Sequence, residues 1–222
     1  MQASVYWKQA LAEWAIPPDI LAAAPESPWG FPTKVFAQRA DAVPASPTPS
    51  TERALEALPE GGAVLDVGCG AGAGALPLAS RAGLLIGVDP SAEMLAAFRE
   101  RAERAGTSVR TIEGAWPDVA KETPVVDVAV CHHVVYNVPD LAPFLRQLSD
   151  HARRRVVLEL TERHPLTVEN DLWRQFHHLT RPTSPTADDV LAVLREISAS
   201  PHIARWQAPA RGWSGPTAWD DL

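Results

Sequence analysis

The stretch VLDVGCGAGAG, residues 64–74, passes from a short apolar run into a cluster of glycines. The apolar residues are typical of a buried β-strand, and glycine permits a tight turn and a close backbone approach to a ligand. With Ala73 the loop also fits the pattern G-x-G-x-x-G/A of dinucleotide-binding turns. The stretch therefore predicts a first strand, a nucleotide-type loop, and a helix over residues 73–82.

Strands and helices are expected to alternate after this loop. Apolar runs predict further strands at residues 83–89, 108–114, 125–131 and 155–161, and helices at 90–106 and 140–152. The run at 125–131 is almost continuously apolar, as in a buried parallel strand. The alternation predicts an α/β fold with a doubly wound, mostly parallel sheet. Two helices, at 168–179 and 187–198, and one more strand, at 202–209, are expected to follow, and a seventh strand is apparently absent.

Composition narrows the class of protein. The chain has 222 residues and a formal net charge of -7, whereas proteins that bind phosphate backbones are usually basic, so a nucleic-acid partner is disfavoured. Two cysteines without C-x-x-C spacing argue against a secreted disulfide scaffold. No apolar run approaches the roughly 20 residues of a membrane span, and the N-terminus lacks the apolar core of a signal peptide. We therefore expect a cytoplasmic protein with no membrane partner.

Two acidic residues flank the glycine loop. Asp66 lies two residues before Gly68, where it would repel a pyrophosphate and attract an ammonium group, such as that of S-adenosylmethionine. Asp89 ends the second predicted strand, where a carboxylate can accept hydrogen bonds from ribose hydroxyls. The first carboxylate favours S-adenosylmethionine, whereas the second suits either cofactor class.

Four stretches in order resemble the class I S-adenosylmethionine-dependent methyltransferases, which are Rossmann-like. VLDVGCGAG resembles their first motif, GVDPS their second, EGAWP the loop beside the adenine, and CHHVVYNVPD their fourth-strand signature. The resemblance covers about residues 50–162 and implies methyl transfer from S-adenosylmethionine to a small-molecule acceptor. The sequence YNVP differs from the Asn/Asp-Pro-Pro-aromatic motif of many amino-methyltransferases, which weakens a DNA-adenine or protein-glutamine acceptor.

The resemblance also implies which residues bind the cofactor. Those around the methionine portion and the sulfonium are Asp66, Gly68, Cys69, Gly70, Cys131 and His132. Those around the ribose and adenine are Asp89, Pro90, Met94, Gly114, Ala115 and Trp116. Met94 and Trp116 have a second interpretation, as ordinary core residues.

Cys131, His132 and His133 raise the question of a metal site. Neighbouring side chains of a strand point to opposite faces, so three in a row cannot converge on one ion, and we predict no metal. The resemblance places this stretch at the mouth of the sheet, with His133 and Tyr136 facing the substrate as catalytic candidates. Histidine suits the role of a base if the acceptor is a hydroxyl or a protonated nitrogen.

The resemblance further implies a helical lid. Residues 1–49 are expected to form this lid and a proline-rich linker, and residues 50–222 the S-adenosylmethionine-binding domain. Ser50 or Thr51 would cap the first helix after the linker. Candidate lid residues are Tyr6, Trp7, Trp29, Phe31, Phe36 and Arg39. The missing seventh strand would expose a sheet edge and favour an intermolecular contact, such as a homodimer.

Two competing functions remain at this point. An NAD(P)-dependent oxidoreductase on a similar sheet would favour an apolar residue in place of Asp66 and a Tyr-x-x-x-Lys motif. Tyr136 is followed four residues later by Asp140, so that motif is not met. The other alternative is a protein that binds S-adenosylmethionine without catalysis.

Overall fold

A parallel sheet of five strands organises the chain. The computed structural model describes residues 1–23 and 47–207. The strands are β1 (Gly62–Val67), β2 (Ala82–Asp89), β3 (Ser108–Glu113), β4 (Val126–His132) and β5 (Ala152–Glu159), in the order β3-β2-β1-β4-β5. All neighbouring pairs are parallel, which confirms the predicted sheet. Because the strand order reverses between β1 and β4, a crevice is expected at their carboxyl ends.

Helices cover both faces of this sheet. They are α1 (Ala3–Ala12), α2 (Pro18–Ala23), α3 (Pro49–Ala57), α4 (Ala92–Arg104), α5 (Leu141–Asp150), α6 (Asn170–His177) and α7 (Ala187–Glu196). The buried residues of α3 and α4 share one core cluster, and those of α1, α5 and α7 share another. The fold is therefore doubly wound and Rossmann-like, as the sequence predicts. No helix in the described ranges is long and apolar enough to cross a membrane.

Strand alternation decides which side chains can reach the crevice together. In β1, Val64 packs with the cluster of α3 and α4, whereas Leu65 packs with the cluster of α1, α5 and α7. The same alternation continues in β4, where Val130 belongs to the first cluster and Cys131 to the second. Asp66 therefore projects towards the face that carries α3 and α4.

The N-terminal helix belongs to the main core. The Trp7 side chain is fully buried within the core cluster of α1, α5 and α7, and its Nε1 donates a hydrogen bond to the Val138 carbonyl oxygen at 2.8 Å. Lys8 contacts the carboxylate of Asp140 at 2.7 Å. Of the other lid candidates, Trp29, Phe31, Phe36 and Arg39 lie outside the described residues. The division of the chain at residues 49 and 50 stays a prediction.

Two predicted elements are wrong. Of the helix predicted at residues 73–82, only Leu76–Leu78 form a short 3-10 helix, and Ala82 already begins β2. Pro77 lacks an N–H group, and its ring disfavours a preceding helical turn. Residues 202–207 form no strand, and the last two residues of that prediction lie outside the described part. Ile203 and Trp206 remain 45% and 39% exposed, so the apolar pattern there does not mark a buried strand.

The N-termini of α3 and α5 differ in their capping. Thr48, rather than Ser50 or Thr51, caps α3, because Pro49 occupies the first helical turn and the Thr48 hydroxyl accepts a hydrogen bond from the Thr51 amide at 3.2 Å. Asp140 holds the N-cap position of α5, but its carboxylate binds Lys8 instead of capping the helix.

Candidate cofactor site and active site

Two glycines of the loop, Gly68 and Gly70, have different surroundings. Gly68 has a φ of +68°, and a Cβ atom there would lie 2.4 Å from Val134 Cγ2. Gly70 has a φ of +49° and nothing within 4 Å of its Cβ position. Gly68 thus lets the loop pack against the segment after β4, whereas Gly70 borders open space.

Gly68→Ala is expected to destabilise the protein and to weaken binding of S-adenosylhomocysteine. The left-handed backbone costs alanine about 1–2 kcal/mol, and the contact with Val134 adds to this cost. Gly61→Ala is the matched control, because Gly61 has nearly the same φ, +69°, with nothing within 4 Å of its Cβ position. Thermal unfolding and calorimetric titration would measure both effects. Equal losses in the two variants would contradict the role of close packing.

Asp66 is a buried carboxylate without a cationic partner. It is 1% exposed, and its Oδ2 accepts a hydrogen bond from the Ala75 amide at 3.0 Å. Burial raises its pKa to about 7, and the charge of Asp89 adds to this rise while the Ala75 amide opposes it. No ion pair within residues 1–23 and 47–207 includes Asp66. A ligand ammonium group would supply the missing counter-charge.

Asp89 ties the glycine loop to the start of α4. Its Oδ2 accepts a hydrogen bond from the Gly70 amide and its Oδ1 accepts one from the Ser91 amide, both at 2.9 Å. An ionised carboxylate has about four acceptor sites, so two remain available to a ligand. Asp89 is only partly buried, which suits contact with a hydroxyl-bearing ligand.

Trp116 lies in the core. The residue is 8% exposed, its Nε1 donates a hydrogen bond to the Phe144 carbonyl oxygen at 3.3 Å, and its ring meets His151 edge-on at 4.9 Å. These contacts account for the side chain by packing alone. Its stacking on an adenine stays a prediction that they do not favour.

The remaining residues predicted to bind the adenine and the ribose differ in their exposure. Pro90 and Ala115 are exposed after β2 and β3, respectively, whereas Met94 is 6% exposed on α4. Gly114 has a φ of +149°, and a Cβ atom there would lie 2.3 Å from Val119 Cγ1. The backbone between β3 and Trp116 therefore packs closely against Val119 at Gly114, whereas Ala115 is exposed.

The Cys-His pair of β4 points to the two faces of the sheet. Cys131 is 1% exposed in the core cluster of Trp7, and burial raises the pKa of its thiol, as it does for Cys69. His132 lies on the other face, beside Asp66. A Cβ atom on Gly74 would be 3.1 Å from Asp66 Oδ2 and 3.3 Å from His132 Nδ1. Because burial disfavours the thiolate form, neither Cys131 nor Cys69 is suited to act as a nucleophile.

His132 is a buried, incompletely paired side chain. Burial lowers its pKa, although Glu159 opposes this shift, and its Nε2 atom is buried without a hydrogen-bond partner. Across the described ranges, no group of three or more His, Cys, Asp or Glu side chains lies together in a way that could hold a metal ion. His132 therefore contributes a polar ring next to the buried carboxylate.

His133 contacts a glutamate that the sequence did not single out. Its backbone has a φ of +59°, its side chain is 53% exposed, and its Nε2 lies 3.2 Å from Glu159 Oε1. Burial pushes the pKa of Glu159 upwards, but the hydrogen bond from His133, the nearby His132 ring and the Ser50 hydroxyl outweigh it and hold that pKa at about 2. Glu159 is thus an ionised carboxylate at the end of β5.

Tyr136 is packed in the core. It is 4% exposed, its hydroxyl donates a hydrogen bond to the Thr161 carbonyl oxygen at 2.8 Å, and its ring stacks on Trp7 at 5.7 Å. Burial also raises its pKa, which opposes formation of a phenolate. A catalytic role for Tyr136 stays a prediction, and these contacts do not favour it.

The sheet and the loop are matched by known methyltransferase sequences. Residues 64–155 match a family model described as a methyltransferase domain. The chain is 33% identical over 87 residues to a ubiquinone biosynthesis O-methyltransferase of Azorhizobium caulinodans, which covers 39% of this chain and 34% of that protein. It is 34% identical over 84 residues to the enzyme of the same name from Aliivibrio fischeri, covering 37% and 36% of the two chains. The matched part spans about a third of the length of these relatives.

Structural comparison extends the likeness in fold over most of the chain. The magnesium protoporphyrin IX methyltransferase of Synechocystis PCC 6803, solved with bound SAH, superposes with a TM-score of 0.52 at 17% identity. The match covers 88% of this chain and 86% of that one. At this identity the likeness concerns the fold. Together, the comparisons show a Rossmann-like fold in which residues 64–155 are similar to a methyltransferase domain.

Proposed function

We propose that the protein transfers a methyl group from S-adenosylmethionine to a small-molecule acceptor. The observation that carries the proposal is the placement of Asp66 and Asp89. The two carboxylates lie at the carboxyl ends of adjacent strands, on either side of a glycine loop that borders open space. A ligand with both an ammonium group and ribose hydroxyls fits this pair.

The residues present fit the cofactor. Asp66 would bind the ammonium group, Asp89 the ribose, and the Gly70 backbone would border the methionine portion. The exposed backbone at Ala115 would border the adenine. When bound, the cofactor supplies a methyl group on a positively charged sulfur, so the protein has chiefly to position the acceptor and exclude water.

The same geometry argues against the oxidoreductase alternative. Pyrophosphate binding in dinucleotide folds uses the N-terminus of the helix that follows the glycine loop. Residues 68–81 contain only the 3-10 helix Leu76–Leu78, so no α-helix begins there. Asp66 would also repel a pyrophosphate.

The proposal also includes the acceptor group and the cellular location of the protein. Relatives that match the domain carry the name O-methyltransferase, which supports a hydroxyl group as the acceptor. The net charge of -7 favours a small molecule over a nucleic acid. We place the protein in the cytoplasm, where its two free cysteines, both buried, would stay reduced. A homodimer stays a prediction, which light scattering of the purified protein would test.

Calorimetric titration with S-adenosylmethionine, S-adenosylhomocysteine and NADH tests the cofactor. We expect micromolar binding of the first two and at least a tenfold weaker affinity in Asp89→Ala, because the ribose contacts and the tether to Gly70 are lost. Asp150→Ala, an exposed acid at the end of α5, is the control and should bind like the wild type. Binding of NADH alone would refute the methyltransferase proposal. Binding of S-adenosylmethionine without transfer to any acceptor would favour the non-catalytic alternative.

A further inference from the structure

His133 directly follows β4, Glu159 ends the neighbouring strand β5, and two contacts join these residues. His132 pairs with Glu159 in the ladder of β4 and β5, and the His133 amide donates a hydrogen bond to the Glu159 carbonyl oxygen at 2.7 Å. The His133 Nε2 atom then meets the Glu159 carboxylate at 3.2 Å. The backbone and the side chain of His133 are thus fixed by the same residue.

The backbone of His133 is unusual for its residue type. A non-glycine residue with positive φ is uncommon and costs free energy, and such residues concentrate at functional sites. Here the left-handed turn at +59° ends β4 and directs the imidazole towards Glu159. The next residue, Val134, packs against Gly68 of the glycine loop, so the pair lies next to the proposed cofactor site.

The two sides of the pair differ in exposure. The Glu159 side chain is 17% exposed, whereas that of His133 is 53% exposed. The charged and titratable groups that face Glu159 are His132 and His133 of the β4 end, and the Ser50 hydroxyl of α3 adds a hydrogen bond. Glu159 therefore stays ionised and accepts the Nε2 proton of His133, which leaves Nδ1 as the basic nitrogen on a half-exposed ring.

We propose that Glu159 is the positioning residue of a His133–Glu159 pair in which His133 Nδ1 is the general base for a hydroxyl acceptor. This inference rests on the proposed function. The proton of the acceptor hydroxyl passes to Nδ1, and an oxygen lone pair forms the bond to the methyl carbon. The bond from that carbon to the sulfonium sulfur breaks with its electron pair left on sulfur. The imidazolium, stabilised by Glu159, then releases its proton to water.

The tautomer of His133 provides a test that does not depend on turnover. In ¹⁵N-labelled full-length protein without ligand, the imidazole shifts of His133 should report a proton on Nε2 and none on Nδ1. His133→Gly identifies the signals, and Glu159→Leu, which cannot accept a hydrogen bond, should raise the fraction of the tautomer with its proton on Nδ1. A wild-type protein with its proton mainly on Nδ1, or an unchanged tautomer ratio in Glu159→Leu, would overturn the proposal.

Kinetics with two probe acceptors provide the second test. With 3,4-dihydroxybenzoate, a hydroxyl acceptor, His133→Gly should lose about 100-fold in kcat at unchanged KM, and added imidazole should restore part of the loss. Glu159→Gln should lose about tenfold. With 4-nitrothiophenol, which is already ionised near neutral pH, His133→Gly should lose less than threefold. Equal losses with both probes would contradict a base and indicate a structural role.

Two controls separate this proposal from the proposed function. Ser198→Gly replaces an exposed residue whose φ is also positive, +64°, and should leave the rate unchanged. Titration with S-adenosylhomocysteine should give wild-type affinity in His133→Gly and Glu159→Gln. If the wild type binds no S-adenosylhomocysteine, the proposed function fails. If it binds the ligand and the tautomer result is negative, only the His133–Glu159 pair fails.

Discussion

Asp66→Asn is expected to stabilise the unliganded protein and at the same time to weaken its binding of S-adenosylhomocysteine severely. In the wild type above about pH 7, an ionised carboxylate is buried at 1% exposure without a cationic partner. Asparagine removes the charge and can still accept the hydrogen bond from the Ala75 amide. It cannot neutralise a ligand ammonium group. Loss of one partner of a buried charge pair costs about 2–5 kcal/mol of binding free energy, or about 1.5 to 3.5 orders of magnitude in affinity.

The stabilisation should depend on pH in a defined direction. The pKa of Asp66 rises from 3.8 in the unfolded chain to about 7 in the folded protein. Below 3.8 both states are protonated, and Asp66 imposes no penalty. Between these values the unfolded state loses its proton first, so stability falls as pH rises, and above about 7 the penalty is constant. The full penalty is at most about 4 kcal/mol, because one pKa unit corresponds to about 1.4 kcal/mol.

Thermal unfolding at pH 8 and at pH 4, combined with calorimetric titration, measures both effects. Asp66→Asn should unfold at a higher temperature than the wild type at pH 8, with a much smaller difference at pH 4. Asp150→Asn, which removes a charge from an exposed position, should change neither stability nor affinity. A destabilised Asp66→Asn with normal ligand affinity would contradict both the buried charge and its partner.

The elements that could be predicted from sequence are those with local signals. The strand and glycine loop at 64–74 show a short apolar run and residues that tolerate positive φ, and both signals lie within eleven residues. The same holds for α7, whose start carries a local signal: the Asp189 carboxylate accepts a hydrogen bond from the Thr186 amide, as in a capping box. The apolar pattern at 73–82 predicted a longer helix than is present, because Pro77 disfavours helix formation there.

The parts that could not be predicted depend on contacts between distant residues. Glu159 ends an unremarkable apolar strand, and only the register of β4 against β5 brings it to His133, 26 positions earlier. A carboxylate at the C-terminal end of a parallel strand is a usable signal, because such ends meet at one edge of a sheet. Asp89 was found by that argument, and Glu159 satisfies it equally.

The role of Trp7 also depends on contacts between distant residues. Its replacement by alanine should cost about 3–5 kcal/mol of unfolding free energy. The side chain is fully buried, stacks on Tyr136 and donates a hydrogen bond to the Val138 carbonyl oxygen, 131 positions away. The alanine variant leaves a cavity between α1 and the segment after β4. Trp7→Phe keeps most of the ring and loses the hydrogen bond, so it should cost about 1 kcal/mol.

Urea unfolding monitored by circular dichroism decides whether α1 belongs to the cooperative core or to a separate lid. If α1 is part of the core, Trp7→Ala lowers the midpoint of a single transition with little change in slope. Trp206→Ala, at a tryptophan that is 39% exposed, is the control and should cost less than about 1 kcal/mol. If residues 1–49 were an independent lid, Trp7→Ala would leave the main transition unchanged. Because Trp7 shares its core cluster with Leu65 of β1 and Val88 of β2, we expect the single shifted transition.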